Sequence, residues 1–388
     1  MDSSSIVCMA DAIVARGLAD CPGLDTISFY SDCEPNWDER PYFTKVEERR
    51  GRAGTHIDVG SQASLKLSLE NGSFVASPGT CCRPASVFEQ VAACITSHGN
   101  RVVVSGIGGD ESTGGVPTPT PELGDLVVRG DCVKLVRQLK SWALHSRRPW
   151  LRLVLAVIRE FLPEGLRLLV ERRHTPVWLD EGFAGRNRAA LCGYPCRLRL
   201  LSGLPSFQEN LRTLNALRRQ LCCDVLPSGP VHEKRFPYLD RDFLEFMYAV
   251  PREQVVRPDQ RRSLMRRALK GIVPPGVLQR RRKATAFRGP LAALALSFPE
   301  LAGEWLSTDL RIIDVPRLSN CLQQALNGEP TPIVSAFRAL ELESWLRTLR
   351  RCDLLRGVPR CMEDLPPKRV FNRGEVRSFG CREDPAGW

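Results

Sequence analysis

Short apolar runs alternate with longer amphipathic segments over residues 1–110. Runs rich in β-branched and aromatic residues predict strands at 26–30, 56–59 and 101–104. The last contains three consecutive valines without a helical period, which is typical of a buried strand in a parallel sheet. Segments that predict helices lie before and between these runs, at 2–17, 38–50 and 85–97. Because strands alternate with helices, we expect an α/β fold with a parallel, doubly wound sheet.

The remainder of the chain is predicted to be mainly helical. Helical segments recur at 122–130, 132–144, 150–161 and 207–221. The stretch 181–206 is rich in Gly, Pro and Arg and predicts a loop or a mobile lid. Apolar residues at helical spacing in 259–269 and 333–349 predict helices of the core. Residues 360–388 have no period and predict a flexible tail.

These changes of pattern divide the chain into four parts. Residues 1–120 form the predicted α/β core, and residues 121–230 form a mainly helical insertion. Residues 231–359 form a helical C-terminal lobe, which is followed by the tail at 360–388. A chain of 388 residues is long enough for one large domain or two ordinary ones, so this division is compatible with its length.

A loop of small residues follows the valine strand, from Ser105 and Gly106 to the carboxylates of Asp110 and Glu111. Glycines let backbone N–H groups approach a ligand, and an acid beside them can hold a divalent cation against phosphate oxygens. Ligands of open α/β sheets bind beyond the carboxyl ends of strands, where this loop is predicted to lie. The same residues are also compatible with an ordinary turn at the end of a strand.

A second candidate anion site is the start of the first helix, Asp2-Ser3-Ser4-Ser5. Hydroxyls and free N–H groups at a helix N-terminus attract anions, although simple N-capping explains serines here equally well. A βαβ unit would have a strand immediately before this helix, and this sequence starts at the helix.

Charge and cysteine content exclude several classes of protein. The net charge of +11 suits a protein that binds nucleic acid or one that handles ATP and pyrophosphate. Aromatic residues make up 7% of the chain, and the densest basic run, 280–283, contains none, so we expect no nucleic-acid partner. The 15 cysteines include no C-x-x-C pair, which favours reduced thiols in a cytoplasmic protein over zinc. The longest apolar run, near 151–158, is too short to span a membrane.

Motifs in both candidate sites resemble those of one enzyme family. Met1-Asp2-Ser3-Ser4-Ser5 is similar to the second half of the pyrophosphate loop, Ser-Gly-Gly-x-Asp-Ser-Ser, of N-type ATP pyrophosphatases. Within that superfamily the chain resembles the asparagine synthetase family, through four further segments in the expected order. These are Ser105-Gly-x-Gly-x-Asp110-Glu111-x-x-Gly-Gly, Glu233-x-Arg235-x-Pro237-Tyr-Leu-Asp240, the segment 260–268, and Arg281-Arg282-Lys283.

The resemblance implies a pyrophosphate-loop α/β core whose ATP site is completed by the C-terminal lobe, and an asparagine synthase-like ATP-dependent ligase. A substrate carboxylate attacks ATP, an acyl-adenylate and pyrophosphate form, and an amine or ammonia takes the acyl group. By the same resemblance, ATP and Mg²⁺ are the cofactors, and Asp2 and Asp110 hold the metal on the pyrophosphate. Ser3 and Ser4 donate to phosphate oxygens, Ser105 and Gly106 line the nucleotide, and Lys283 neutralises the charge that develops on the phosphates.

Some residues in these motifs also have simpler structural explanations. Lys283 stands among arginines and is also compatible with a solvated surface. Glu233 and Arg235 are expected to form a structural ion pair, and Asp240 is as well explained by a helix cap or a salt bridge as by a ligand role.

Three departures from the family pattern change the expectation. The chain begins inside the pyrophosphate loop. We therefore expect Met1 to be internal to a longer protein, whose first strand and glutaminase domain are missing here. The competing expectation is a degenerate paralogue. Ile107 stands where asparagine synthetases carry a glutamate that manages protons and ammonia. Val116 stands where an aromatic residue usually follows the Gly-Gly pair.

These departures favour a substrate other than aspartate. The alternatives are a ligase of the lasso-peptide macrocyclase type, acting on a peptide carboxylate, and a catalytically inactive remnant or partner subunit. The expected partner is therefore a small-molecule or peptide carboxylate. A separate protein that delivers the substrate or supplies glutaminase activity is also compatible with the resemblance, and no nucleic acid or membrane partner is expected.

Overall fold

The computed structural model describes residues 1–20, 23–32, 38–60, 78, 85–115, 118–162, 175–187, 203–222, 232–258, 260–280, 304–327, 329 and 331–355. The amino-terminal part of this chain alternates helices and strands. Its elements are α1 (Asp2–Ala15), β1 (Ile27–Tyr30), α2 (Arg40–Arg50), β2 (Thr55–Asp58), α3 (Ala85–Ser97), β3 (Val102–Val104) and α4 (Gly109–Thr113). The alternation expected for an α/β fold is therefore present.

The strands form two parallel pairs. β1 lies beside β2, with Ile27 opposite Thr55, and β3 lies beside β4 (Glu233–Arg235), with Val102 opposite Glu233. Within the described ranges these pairs are separate two-stranded sheets, so the single doubly wound sheet stays a prediction. The valine strand is also less buried than its composition suggests, because Val102 is exposed.

Helices make up most of the remaining described chain. They are α5 (Pro119–Arg129), α6 (Cys132–Ser146), α7 (Trp150–Phe161), α8 (Glu181–Arg186), α9 (Pro205–Cys222), α10 (Arg241–Ala249), α11 (Arg252–Val255), α12 (Ser263–Ala268), α13 (Pro275–Leu278), α14 (Leu306–Asp309), α15 (Val315–Leu326) and α16 (Ile333–Arg351). The fold is thus a helix-rich α/β structure with small parallel sheets. None of the helices in these ranges combines the length and apolar character needed to cross a membrane.

Three clusters of buried apolar side chains hold the elements together. One joins α1 and α2 to α12 and α13 through Cys8, Val46, Met265 and Val277. A second packs α5, α6 and α7 against α10 and α11. The third lies between α15, α16 and the segment around Trp178. The first cluster matters most for the site, because it fixes α1 against the segment that carries Arg262.

Several predicted elements are corrected by the structure. The helix expected at 259–269 is confined to Ser263–Ala268, because Arg262 adopts a left-handed backbone conformation that starts the helix there. Part of the loop expected at 181–206 is the short helix α8, whose N-terminus is capped by Asp180. The amino-terminal serines do not cap α1, since its N-cap is Met1 and they lie in its first turn. Val116, Lys283 and the expected tail lie outside the described residues.

Candidate active site

The glycine loop that follows β3 packs directly on the N-terminus of α1. A methyl group added at Gly106 would lie 3.1 Å from both the Asp2 Cβ and the Ser3 backbone nitrogen. One added at Gly109 would lie 2.6 Å from the Asp2 Cγ, closer than carbon atoms pack. These two positions therefore need glycine for the loop to reach α1, and the two candidate anion sites in the sequence form one site.

Two carboxylates of this site converge on a single guanidinium. Arg262 Nη2 donates to Asp2 Oδ2 at 2.6 Å and also to Asp110 Oδ1. The Arg262 side chain is 8% exposed and that of Asp2 is 18% exposed, whereas that of Asp110 is 52% exposed. The ion pair is therefore largely shielded from water on the Asp2 side and open on the Asp110 side.

The backbone holds Arg262 in this position. Its φ of 55° lies in the left-handed region, which non-glycine residues other than Asn and Asp seldom adopt. Its backbone N–H donates to the carbonyl of Gly114 at 3.1 Å, at the end of the glycine loop. An uncommon backbone conformation retained at a charged cleft is a feature of functional sites.

Ser5 and Tyr238 fix the backbone of Asp2. The Ser5 hydroxyl donates to the Asp2 carbonyl at 2.8 Å and lies 2.5 Å from the Tyr238 hydroxyl. Tyr238 also donates to the Asp2 carbonyl at 3.3 Å. Burial raises the pKa of Tyr238 to about 12, so its hydroxyl keeps its proton at neutral pH and can act as this donor.

Burial also raises the pKa of the Asp2 carboxyl, and the nearby charge of Arg262 opposes that shift. The negative charge of Asp110 adds to the rise. Of the two Asp2 oxygens, Oδ1 is buried and has no hydrogen-bond partner in the part of the chain that the structure describes. Asp2 thus has one oxygen bound to a cation and one still available to a ligand.

The other predicted site residues lie around this centre, with one exception. Ser3 is exposed and Ser4 half-buried in the first turn of α1. Ser105 follows β3, where its hydroxyl accepts from the Ile107 N–H at 3.3 Å. The exception is Lys283, which lies outside the described residues.

Two predicted structural roles are confirmed nearby. Arg235 donates to the Glu233 carboxylate at 2.7 Å in an exposed ion pair on β4. Asp240 caps α10 by accepting from the backbone N–H groups of Asp242 and Phe243.

The site suits a hard divalent cation. Asp2 and Asp110 offer carboxylate oxygens, which Mg²⁺ prefers, and the unpartnered Asp2 Oδ1 is a free ligand position. Within the described ranges no cluster of three or more His, Cys, Asp or Glu side chains is arranged to hold a metal. Two carboxylates are compatible with Mg²⁺, because this ion commonly keeps several waters and binds substrate phosphates as well.

Sequence reasoning assigned no role to three members of this site: Ser5, Tyr238 and Arg262. Each lies inside a recognised motif, since Ser5 stands at the start of α1, Tyr238 in the motif that ends at Asp240, and Arg262 in the segment 260–268. Nothing in their spacing to Asp2 indicates contact, since Tyr238 and Arg262 stand 236 and 260 positions from it in the chain.

Comparison with known proteins identifies the family of this chain. No match is found among curated protein sequences. The model of the asparagine synthase family matches residues 1–347. This span includes α1, the glycine loop, β4 and Arg262, which together form the site. The chain therefore belongs to the asparagine synthase family.

Proposed function

We propose that this protein activates a carboxylate as an acyl-adenylate and transfers the acyl group to an amine. Membership of the asparagine synthase family implies an ATP-dependent ligase that forms C–N bonds. The finer proposal rests on the contacts of Asp2 and Asp110 with the guanidinium of Arg262. These contacts lie where the glycine loop meets the N-terminus of α1. Helix N-termini and glycine loops bind phosphates, and two carboxylates can hold the metal that accompanies them.

In this proposal the site residues bind the metal, the phosphates and the nucleotide. Asp2 and Asp110 would hold Mg²⁺, which supplies charge neutralisation on the pyrophosphate. The first turn of α1, with Ser3 and Ser4, would donate hydrogen bonds to phosphate oxygens. Ser105 and Gly106 would line the nucleotide, and Lys283 would add a positive charge as pyrophosphate leaves. Positioning and electrostatic stabilisation supply most of the catalysis in such a reaction. The core would be a pyrophosphate-loop sheet in a cytoplasmic enzyme.

The carboxylate substrate is proposed to differ from aspartate. Ile107 lies within the glycine loop and is 40% exposed, and in this proposal its side chain borders the space of the activated carboxylate. An isoleucine cannot accept a proton or guide ammonia, which are tasks of the glutamate that asparagine synthetases carry there. An apolar residue suits a peptide carboxylate better, as in ligases of the lasso-peptide macrocyclase type.

Pyrophosphate–ATP exchange tests this proposal. Labelled pyrophosphate should enter ATP only in the presence of the correct carboxylate, so a panel of peptides and amino acids is assayed with aspartate included. Asp110→Asn should abolish exchange while circular dichroism stays unchanged, and Asp38→Asn, in an exposed pair with Arg40, is the matched control. Rapid exchange with aspartate would contradict the assignment of Ile107. Exchange that survives in Asp110→Asn would contradict the metal role.

The competing function is a catalytically inactive remnant or partner subunit. The observation in its favour is that Arg262 pairs with both carboxylates, so that each of them already has one oxygen bound to a cationic side chain. Failure of Mg·ATP to bind the wild-type chain at millimolar concentration would favour this alternative.

A further inference from the structure

A cavity of about 680 Å³ borders α4, the helix that also carries Asp110 of the candidate site. α4, α5, α9, α10 and α11 line it, and Asp110 and Glu111 are among the lining residues. Asp110 thus contacts Arg262 and also borders this cavity. Cavities of a few hundred Å³ hold small organic ligands, so the volume is sufficient for a substrate.

One wall of the cavity is aromatic. Phe207 and Tyr248 meet edge to face, with ring centroids 6.3 Å apart and planes at 85°. Phe207 is 45% exposed, whereas Phe side chains are usually buried in folded proteins. The two rings therefore offer a surface for an apolar or aromatic group.

The charged lining is predominantly acidic. Five carboxylates border the cavity, and they belong to Asp110, Glu111, Asp125, Glu209 and Glu253. Two arginines border it, Arg129 and Arg252. Two of the carboxylates are paired with arginines outside the lining, since Asp110 pairs with Arg262 and Glu209 pairs with Arg212. The remaining carboxylates still outnumber the arginines.

Arg252 lies near several carboxylates, and its Nε is buried without a hydrogen-bond partner in the described part of the chain. Burial lowers the pKa of Arg252, and the charges of Glu209, Glu122 and Asp125 oppose that shift. These carboxylates act on the guanidinium, and they would repel a ligand carboxylate. A positively charged ligand would be attracted to them instead.

We infer that this cavity binds the amine that accepts the acyl group, and that the amine carries an aromatic or apolar body. The inference rests on the proposed function, in which the amine attacks the acyl carbon of the adenylate and AMP leaves. The ammonium form would enter along the carboxylates and give one proton to a lining carboxylate, so that the neutral amine can attack, and its second proton would pass to solvent as the amide forms. The apolar body would contact Phe207 and Tyr248. A small aromatic amine and the amino terminus of a peptide share this chemistry.

Ligand-observed NMR and calorimetry on the full chain test the inference with matched probes. Phenethylamine is compared with 3-phenylpropionate, which has the same body and the opposite charge, and with the tripeptide Phe-Gly-Gly amide. We expect phenethylamine to bind at least about tenfold more tightly than 3-phenylpropionate, with an affinity that falls as salt is added. Tighter binding of the tripeptide than of phenethylamine would identify a peptide amino terminus as the source of the amine, and the reverse order a small amine.

Variants of the lining residues test whether phenethylamine binds in this cavity. Phe207→Ala should weaken phenethylamine binding at least about fivefold, and Glu111→Gln should weaken it without changing the binding of the neutral analogue 2-phenylethanol. Phe246→Ala is the control, because Phe246 lies on α10 with 62% exposure and does not line the cavity. Equal affinity for the amine and the acid, or unchanged binding in Phe207→Ala, would overturn the inference.

The exchange assay separates this inference from the proposed function. Carboxylate-dependent exchange together with absent or Phe207-independent amine binding would contradict the cavity assignment alone. Phe207-dependent amine binding without exchange for any carboxylate would contradict the adenylation chemistry and leave a binding site for amines.

Discussion

One nitrogen of Arg262 lies 2.6 Å from the Asp2 carboxylate and also contacts the carboxylate of Asp110. The same two acids are the proposed ligands of Mg²⁺, so the guanidinium binds two oxygens that a metal ion between these acids could use. It prevents two carboxylates from facing each other without a cation, since like charges at such close range destabilise each other. We therefore expect Arg262 to weaken metal binding by its positive charge and by its contacts with Asp2 Oδ2 and Asp110 Oδ1, which leave Asp2 Oδ1 as the free oxygen.

This competition predicts the behaviour of Arg262→Gln. Without the guanidinium, the two carboxylates should bind free Mn²⁺ about tenfold more tightly than the wild-type site does. Without metal, the variant should be less stable by about 3 kcal/mol, because a buried charge has lost its partner. Electron paramagnetic resonance of Mn²⁺ and urea denaturation measure the two effects.

Arg241→Gln is the control, because Arg241 forms an exposed pair with Glu245. It should change metal affinity and stability by less than about 0.5 kcal/mol. Wild-type protein that binds Mn²⁺ as tightly as Arg262→Gln would show that the guanidinium and the metal use different positions.

Gly109→Ala should disrupt the site without disturbing the core. The added methyl would lie 2.6 Å from the Asp2 Cγ, so the Asp2 side chain must shift from the position in which it contacts Arg262. We expect affinity for Mg·ATP to fall by about tenfold or more, and stability to fall by about 1–3 kcal/mol. A fluorescent ATP analogue measures the affinity. Gly185→Ala is the control, since a methyl there meets nothing within 4 Å, and nucleotide affinity equal in the two variants would contradict the packing argument.

Local pattern predicted much of this fold, and tertiary contact accounts for what it missed. The helix Trp150–Phe161 was predicted with its observed bounds because its apolar residues recur on one face. β4 was missed because Glu233, Lys234 and Arg235 are exposed and show no alternation of apolar and polar positions. It exists through its pairing with β3, which no local pattern encodes.

The candidate site was likewise predicted only in part from the sequence. Asp2 and Asp110 were identified from motifs, whereas Arg262 became visible only when the chain brought it between them. The left-handed conformation that positions it has no sequence signal, since Arg is not a residue that favours positive φ.

Glu343 is predicted to be essential for the stability of the C-terminal helices. It is fully buried in α16, and its carboxylate accepts from the backbone N–H groups of Leu306 and Ser307 and from Arg347. Glu343→Ala leaves these donors unpaired, so we expect a loss of about 3–5 kcal/mol in urea denaturation. Glu304→Ala, which keeps these donors paired, is the control. A loss below about 1 kcal/mol would mean that water replaces the carboxylate.

Glu122 should make stability depend on pH in the opposite direction to a carboxylate whose pKa is lowered by folding. It is buried in α5, accepts from the Trp142 indole N–H at 3.1 Å, and has a pKa raised by burial. The folded state therefore holds the Glu122 proton more tightly than the unfolded state does. As pH rises from the ordinary carboxyl pKa through the folded pKa, ionisation opposes folding, and this cost is complete above the folded pKa.

Glu122→Gln keeps an acceptor for Trp142 and never ionises. Its free energy of unfolding relative to the wild type should therefore increase as pH rises from about 4 to about 8, with the largest gain at the upper end. Urea denaturation across this range measures the difference, and Glu245→Gln, at an exposed position, should show no such trend. A difference that stays constant or falls with pH would mean that Glu122 is ionised in the folded state without cost. The surrounding charges of Arg252 and the Trp142 hydrogen bond would then outweigh its burial.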